Sequence, residues 1–106
     1  MRRRMVNKYH AKKTTIDGIR FDSQREGRRY LDLKLLLRGK VISGLKLQVR
    51  FPLTINGFKI CDYIADFTYE ENGEQIIEDC KGMRTYHYKL KKKLMFAIYN
   101  ITIKET

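Results

Sequence analysis

The chain has 106 residues, 42% of them hydrophobic, which suits one domain with a modest core. Twenty-three lysines and arginines against twelve acids leave a net charge of +11 at pH 7, so the expected partner is a polyanion, nucleic acid ahead of an acidic membrane surface. No apolar run approaches a membrane span and the basic start has no apolar signal core, so the expectation is a cytoplasmic protein.

Residues 1–13 form a basic arm that carries Lys8, Lys12 and Lys13 around Tyr9 and His10. Such an arm either follows a phosphate backbone or serves as a solubilising tail. Next, Asp17-Gly18 between apolar residues predicts a small hairpin over Thr14 to Phe21 that presents Arg20. Ser23 is a good N-cap for the first helix, and Glu26 three residues on completes a capping box. Tyr30, Leu31, Leu33, Leu35 and Leu37 supply its apolar face, Arg25, Arg28 and Arg29 lie near its start, and Gly39 is its predicted stop. Glu26 falls one turn before Tyr30 and so shares the inward stripe; capping alone accounts for it, and a place in a site is the alternative. Gly27 costs about 1 kcal/mol against Ala in a helix, which points to close packing there or to close approach of a ligand.

Leu45, Leu47, Val49, Phe51 and Leu53 alternate with polar residues and read as a strand, with Pro52 as a restriction or a bulge. Asn56-Gly57 turns the chain into a long strand from Phe58 to Tyr69, the middle of an antiparallel meander. A regular register through that turn sets Leu47, not Gln48, on the face of Asp66. Gln48 joins that face as an accessory only if a bulge near Pro52 shifts the pairing.

Asn72-Gly73 is the second hairpin signal of the meander. Counting outward from it sets Asp66 opposite Asp79, and alternation puts Ile64, Asp66 and Thr68 on one face with Ile77, Asp79 and Lys81. Like charges directly opposed cost up to about 1 kcal/mol. A divalent cation removes that cost, since oxygen ligands on adjacent strands suit Mg²⁺ and leave positions for water and phosphate; the other reading is a solvated hairpin face. The only cysteines, Cys61 and Cys80, lack CxxC spacing, and His10 and His87 complete no zinc pattern, so two small buried thiols and no disulfide are expected.

Gly82 is predicted to break the strand and Thr85 to cap a second helix running to about Tyr99, with Tyr86, Leu90, Leu94, Ala97 and Ile98 as its apolar stripe. Lys89, Lys92 and Lys93, with Arg84 nearby, form either a solvated face or a phosphate-holding surface. The candidate nucleic-acid contacts are thus Lys8, Lys12, Lys13, Arg20, Arg25, Arg84, Lys89, Lys92 and Lys93. Ile101 to Ile103 is the predicted last strand. Helix, three strands, helix, strand is an α/β order in which a meander is extended by a helix-linked fourth strand.

This αβββαβ order, with Glu26 in the first helix, Asp66 in the central strand and Asp79-Cys80-Lys81 in the next, resembles the restriction-endonuclease-like core of the PD-(D/E)xK nuclease superfamily. The phrases Lys8-Tyr9-His10-Ala11-Lys12-Lys13-Thr14, Arg50-Phe51-Pro52-Leu53, Tyr63-Ile64-Ala65-Asp66-Phe67 and Glu78-Asp79-Cys80-Lys81-Gly82 are similar to a family of small phage-encoded, endonuclease-like proteins of that superfamily, over nearly the whole chain. The resemblance implies one nuclease-like domain over residues 1–106 that hydrolyses DNA phosphodiester bonds with Mg²⁺ or Mn²⁺. It further implies that Asp66, Asp79 and the backbone carbonyl of Cys80 hold the metal, that Glu26 assists directly or through water, and that Lys81 orients the attacking water or stabilises charge. Two departures stand out. Ala65 occupies the place of the superfamily's proline, and Glu78 competes with Asp79 for the metal-facing position; Asp79 is the choice because it shares a strand face with Lys81. By analogy with Holliday junction resolvases, the implied substrate is branched or recombination-intermediate DNA, cut by a homodimer in a phage or prophage setting. A non-catalytic basic module that binds DNA or RNA is the competing reading.

Overall fold

The structure is a computed structural model that describes residues 13–81 and 83–106; most of the basic arm, including Lys8 and Lys12, and the predicted break at Gly82 lie outside the described residues. A hairpin of β1 (Thr14–Ile16) and β2 (Ile19–Phe21) precedes α1 (Gln24–Arg38). Then come β3 (Ser43–Ile55), β4 (Phe58–Glu71), β5 (Glu74–Asp79), α2 (Tyr86–Tyr99) and β6 (Lys104–Glu105). The architecture is mixed α/β, with a four-stranded sheet in the order β3-β4-β5-β6, antiparallel except for the parallel β5–β6 pair. No helix among the described residues is long and apolar enough to cross a membrane.

The turns are set locally. Asn72 and Gly73, at φ of 54° and 79°, take the left-handed conformation that a two-residue hairpin loop demands, and Asn56-Gly57 repeats it at 52° and 82°. Helix α1 starts at Ser23, whose Oγ accepts the N–H of Glu26 at 3.1 Å, and α2 starts at Thr85, whose Oγ1 accepts from Tyr88 at 3.1 Å. Asn100 ends α2 in the left-handed region. At the end of α1 the left-handed residue is Lys40 and not the predicted stop Gly39, which caps at φ −80°.

Two apolar clusters make the core. Phe21, Tyr30, Leu33, Ile42, Phe67 and Tyr69 join the β1–β2 hairpin and α1 to the sheet, while Leu53, Tyr63, Ala65, Ile77, Tyr88, Met95 and Ile103 join α2 to it. Gly27 belongs to the first: a Cβ there would lie 2.7 Å from Thr14 Cγ2, so packing of the hairpin, and no ligand, accounts for the glycine.

Several predicted details differ. Helix α1 turns Leu35 outward, 62% exposed, because Tyr30 and Leu33 already fill its contact with the sheet. The inward side of α2 carries Tyr88 and Met95, with Leu94 and Ile98 half-buried, while Tyr86, Leu90 and Ala97 face out. The last strand is Lys104–Glu105; Ile101 and Ile103 instead pack sideways against the α2 cluster. Both cysteines are free thiols and are half-buried.

Candidate active site

The β4–β5 ladder runs Glu71↔Glu74 to Phe67↔Glu78 and stops. Beyond it β5 stays with β6, where Thr106 N–H donates to Asp79 O at 3.1 Å and Lys81 N–H to Thr106 O at 3.3 Å. The next positions in the same register are Asp66 and Asp79, and there a side chain replaces the backbone acceptor: Asp66 Oδ2 takes the N–H of Cys80 at 2.9 Å. The two acids meet where their strands part.

Asp79 is 1% exposed. Its Oδ2 accepts from the Tyr63 hydroxyl at 2.5 Å, whereas its Oδ1 is buried without a hydrogen-bond partner among the described residues. Lys81 Nζ stands 3.4 Å from that oxygen, near enough for charge attraction though not aligned to donate, and 4.7 Å over the Tyr88 ring. Burial, then the neighbouring Asp79 carboxyl, pushes the Asp66 pKa far above the usual carboxylate range. Burial, then Asp22 and Asp79, raises Glu26 as well. A buried Asp79 with one orphaned oxygen, facing a half-buried Asp66 that resists ionisation, fits a hard divalent cation.

Gln48 is part of this site for a reason that lies at the far end of its strand. Thr54 pairs with Lys59 but Leu53 pairs with Cys61, so Ile60 is an extra residue in β4, and the register beyond Leu53 sets Gln48 opposite Asp66. The required bulge therefore exists, beside Pro52. Gln48 itself bends to φ 53°, and its Nε2 donates to Glu26 Oε2 at 3.3 Å and Asp66 Oδ1 at 3.4 Å. The predicted capping box is half made: Ser23 Oγ accepts the Glu26 N–H, while the carboxyl of Glu26, a residue 8% exposed, turns away from the cap and is joined to Asp66 through the Gln48 amide. Among the described residues no three His, Cys, Asp or Glu side chains are grouped tightly enough to hold a metal by themselves.

Glu78 points elsewhere. Arg29 Nε and Nη2 grip its carboxylate at 2.6 and 3.0 Å, Tyr69 donates a further short hydrogen bond, and Thr106 Oγ1 adds one at 2.9 Å. With every lone pair so occupied, Glu78 is a structural anchor between α1 and β5.

A cleft of about 260 Å³ opens onto Asp79 and Lys81, walled by Tyr63, Ile64, His87, Tyr88 and Lys91. His87 and Lys91, outside the predicted contact set, thus share a cleft with Asp79. Among the predicted nucleic-acid contacts, Lys13 and Arg20 are exposed and Arg25 donates to Thr106 O at 3.3 Å. Lys89 and Lys93 are exposed on α2, while Arg84 and Lys92 lie 2.8 and 3.0 Å from Glu105 and share its one negative charge. No local signal marked Tyr63, Tyr88 or Glu105, because each acts on a partner brought to it by the fold.

A family model described as Protein of unknown function (DUF1064) matches residues 6–105. The chain belongs to that family. The DUF1064 match spans both helices, the meander and all of Glu26, Gln48, Asp66, Asp79 and Lys81. No curated protein matches the chain, and no solved structure matches it.

Proposed function

We propose that this DUF1064 domain is a divalent-metal-dependent DNA endonuclease with a PD-(D/E)xK-type core, acting on branched or otherwise structured DNA. The observation that carries the reading is Asp79 Oδ1, buried and orphaned beside the Lys81 ammonium, on a residue that the β4–β5 register sets across from Asp66. Helix, three strands, helix and strand in that order, with the acids on the second and third strands of the meander, support the fold side of the proposal.

The residues divide the work as follows. Asp66 and Asp79 would hold the ion, with the Cys80 carbonyl as a further oxygen. When bound there, Mg²⁺ or Mn²⁺ supplies Lewis acidity and a water of lowered pKa. Tyr63 and the Cys80 N–H each fix one oxygen of a carboxylate, which leaves Asp79 Oδ1 without a hydrogen bond and Asp66 Oδ1 shared with Gln48. Gln48 ties Glu26 to Asp66 and sets the distance at which the third acid orients water. Lys81 places a fixed positive charge where negative charge develops on the scissile phosphate, and Lys91 and His87 line the approach.

The test is cleavage of supercoiled, linear, single-stranded and four-way-junction DNA with and without Mg²⁺ or Mn²⁺. Asp66→Ala should abolish cleavage, Lys81→Ala should slow it by about 10² to 10³, and Gln48→Ala by about 10- to 100-fold. Activity that survives both Asp66→Ala and Lys81→Ala removes the site. Binding without metal and without cleavage of any substrate leaves a non-catalytic DNA- or RNA-binding module.

A further inference from the structure

Helix α2 has a second working side. Opposite Tyr88 and Met95 it forms a groove of about 650 Å³ lined by Tyr86, Lys89, Leu90, Lys93, Phe96 and Ile101. Tyr86 is 75% exposed and Phe96 58% exposed, although the helix had buried positions to offer, and both stand beside exposed lysines that make no ion pair among the described residues. We propose that this groove binds single-stranded nucleic acid, with bases stacked on Tyr86 and Phe96 and the backbone held by Lys89 and Lys93.

The argument is one of chemical complementarity. A polyanion with flat apolar faces is the ligand that an aromatic floor between cations fits, and stacking on such rings tolerates any base sequence. Charge argues against a second copy of the chain: groove against groove would bring lysine onto lysine in a molecule of net charge +11. The position also serves the cleft. Tyr86 in the groove sits edge-on to His87 of the cleft, with ring centroids 5.8 Å apart, so a strand crossing the start of α2 runs from one to the other. The inference rests on the nucleic-acid part of the endonuclease reading and names its substrate feature, an unpaired strand next to the cut.

The experiment is fluorescence anisotropy of labelled oligothymidylate and of a duplex of equal length, in EDTA, with the full chain. Tyr86→Ala and Phe96→Ala should each weaken single-strand binding roughly tenfold while leaving duplex binding within about twofold, and Tyr86→Phe should bind as the parent does. Both residues are exposed, so unchanged thermal melts are expected to accompany the loss. Equal losses on single strand and duplex, or no loss, overturn the proposal. So does a sedimentation result in which Phe96→Ala splits a dimer without altering single-strand affinity, since the groove is then an interface between copies. Because binding is read without metal, a protein that binds single strands through these rings yet cuts nothing refutes the nuclease and leaves the groove standing.

Discussion

Asp66 shows how one residue can be held in place at the expense of stability. One of its oxygens accepts from Cys80 and the other from Gln48, yet burial and the nearby Asp79 carboxyl both oppose its charge. Because burial and Asp79 raise its pKa above the unfolded value, the metal-free fold binds this proton more tightly than the unfolded chain does. Stability of the metal-free protein should therefore rise as pH is lowered through the raised pKa, and the ionised pair should cost stability above it. Asp66→Asn keeps an oxygen for the Cys80 N–H and deletes the charge. It is expected to raise the metal-free melting point at pH 8, by the equivalent of about 1 kcal/mol or more, while removing cleavage. A melting point equal to or below that of the parent would show that the acids do not repel. Glu78 is the contrasting case: burial opposes its charge, but Arg29, Tyr69 and Thr106 outweigh burial and hold it ionised.

At the scale of elements, β6 matters more than its two residues suggest. By pairing in parallel with β5 at Glu78 and Asp79, it carries β5 on after the β4 ladder has ended, which opens the gap where the acids meet. Glu105 on β6 then binds Arg84, the Tyr88 hydroxyl at 2.7 Å and Lys92, and so fastens α2 as the wall of the cleft. Arg84 first, then Tyr88, draws the Glu105 pKa down to about 2. The folded pKa lies below the unfolded one, so this stabilisation is complete above the ordinary glutamate range of about 4.3 and is lost as pH falls toward about 2. Glu105→Gln should flatten the acid side of the melting curve and loosen α2; an unchanged slope between those limits would deny the fastening role.

For the whole molecule the governing quantity is charge. At +11 the chain should lose DNA affinity linearly in the logarithm of salt concentration, by counterion release. Lys93→Ala should reduce the slope by about 1. Lys92→Ala and Arg84→Ala should reduce it less, since the one Glu105 carboxylate already offsets part of their combined charge. Titrations of binding against salt for the three variants check this, and equal slopes for all of them would contradict the division. Charge of this kind supplies affinity for any strand; selectivity has to come from the cleft and groove on either side of α2.

The register of Asp66 against Asp79 was legible in the sequence because Asn72-Gly73 dictates a local turn and side chains alternate with a period of two. The helix starts at Ser23 and Thr85 were legible too, since a cap lies within three residues of the group it satisfies. The inward side of α2 was not, because apolar residues surround that helix and only the neighbouring strands select Tyr88 and Met95. Nor was the placing of Gln48, which depends on an extra residue at Ile60, or the capture of Glu78 by Arg29, 49 positions earlier in the chain. The sequence alone determined what turns and periods impose over a few residues. Which acids are gathered together, and which are tied up by cations, was decided only in the tertiary structure, where distant partners compete for the same charge.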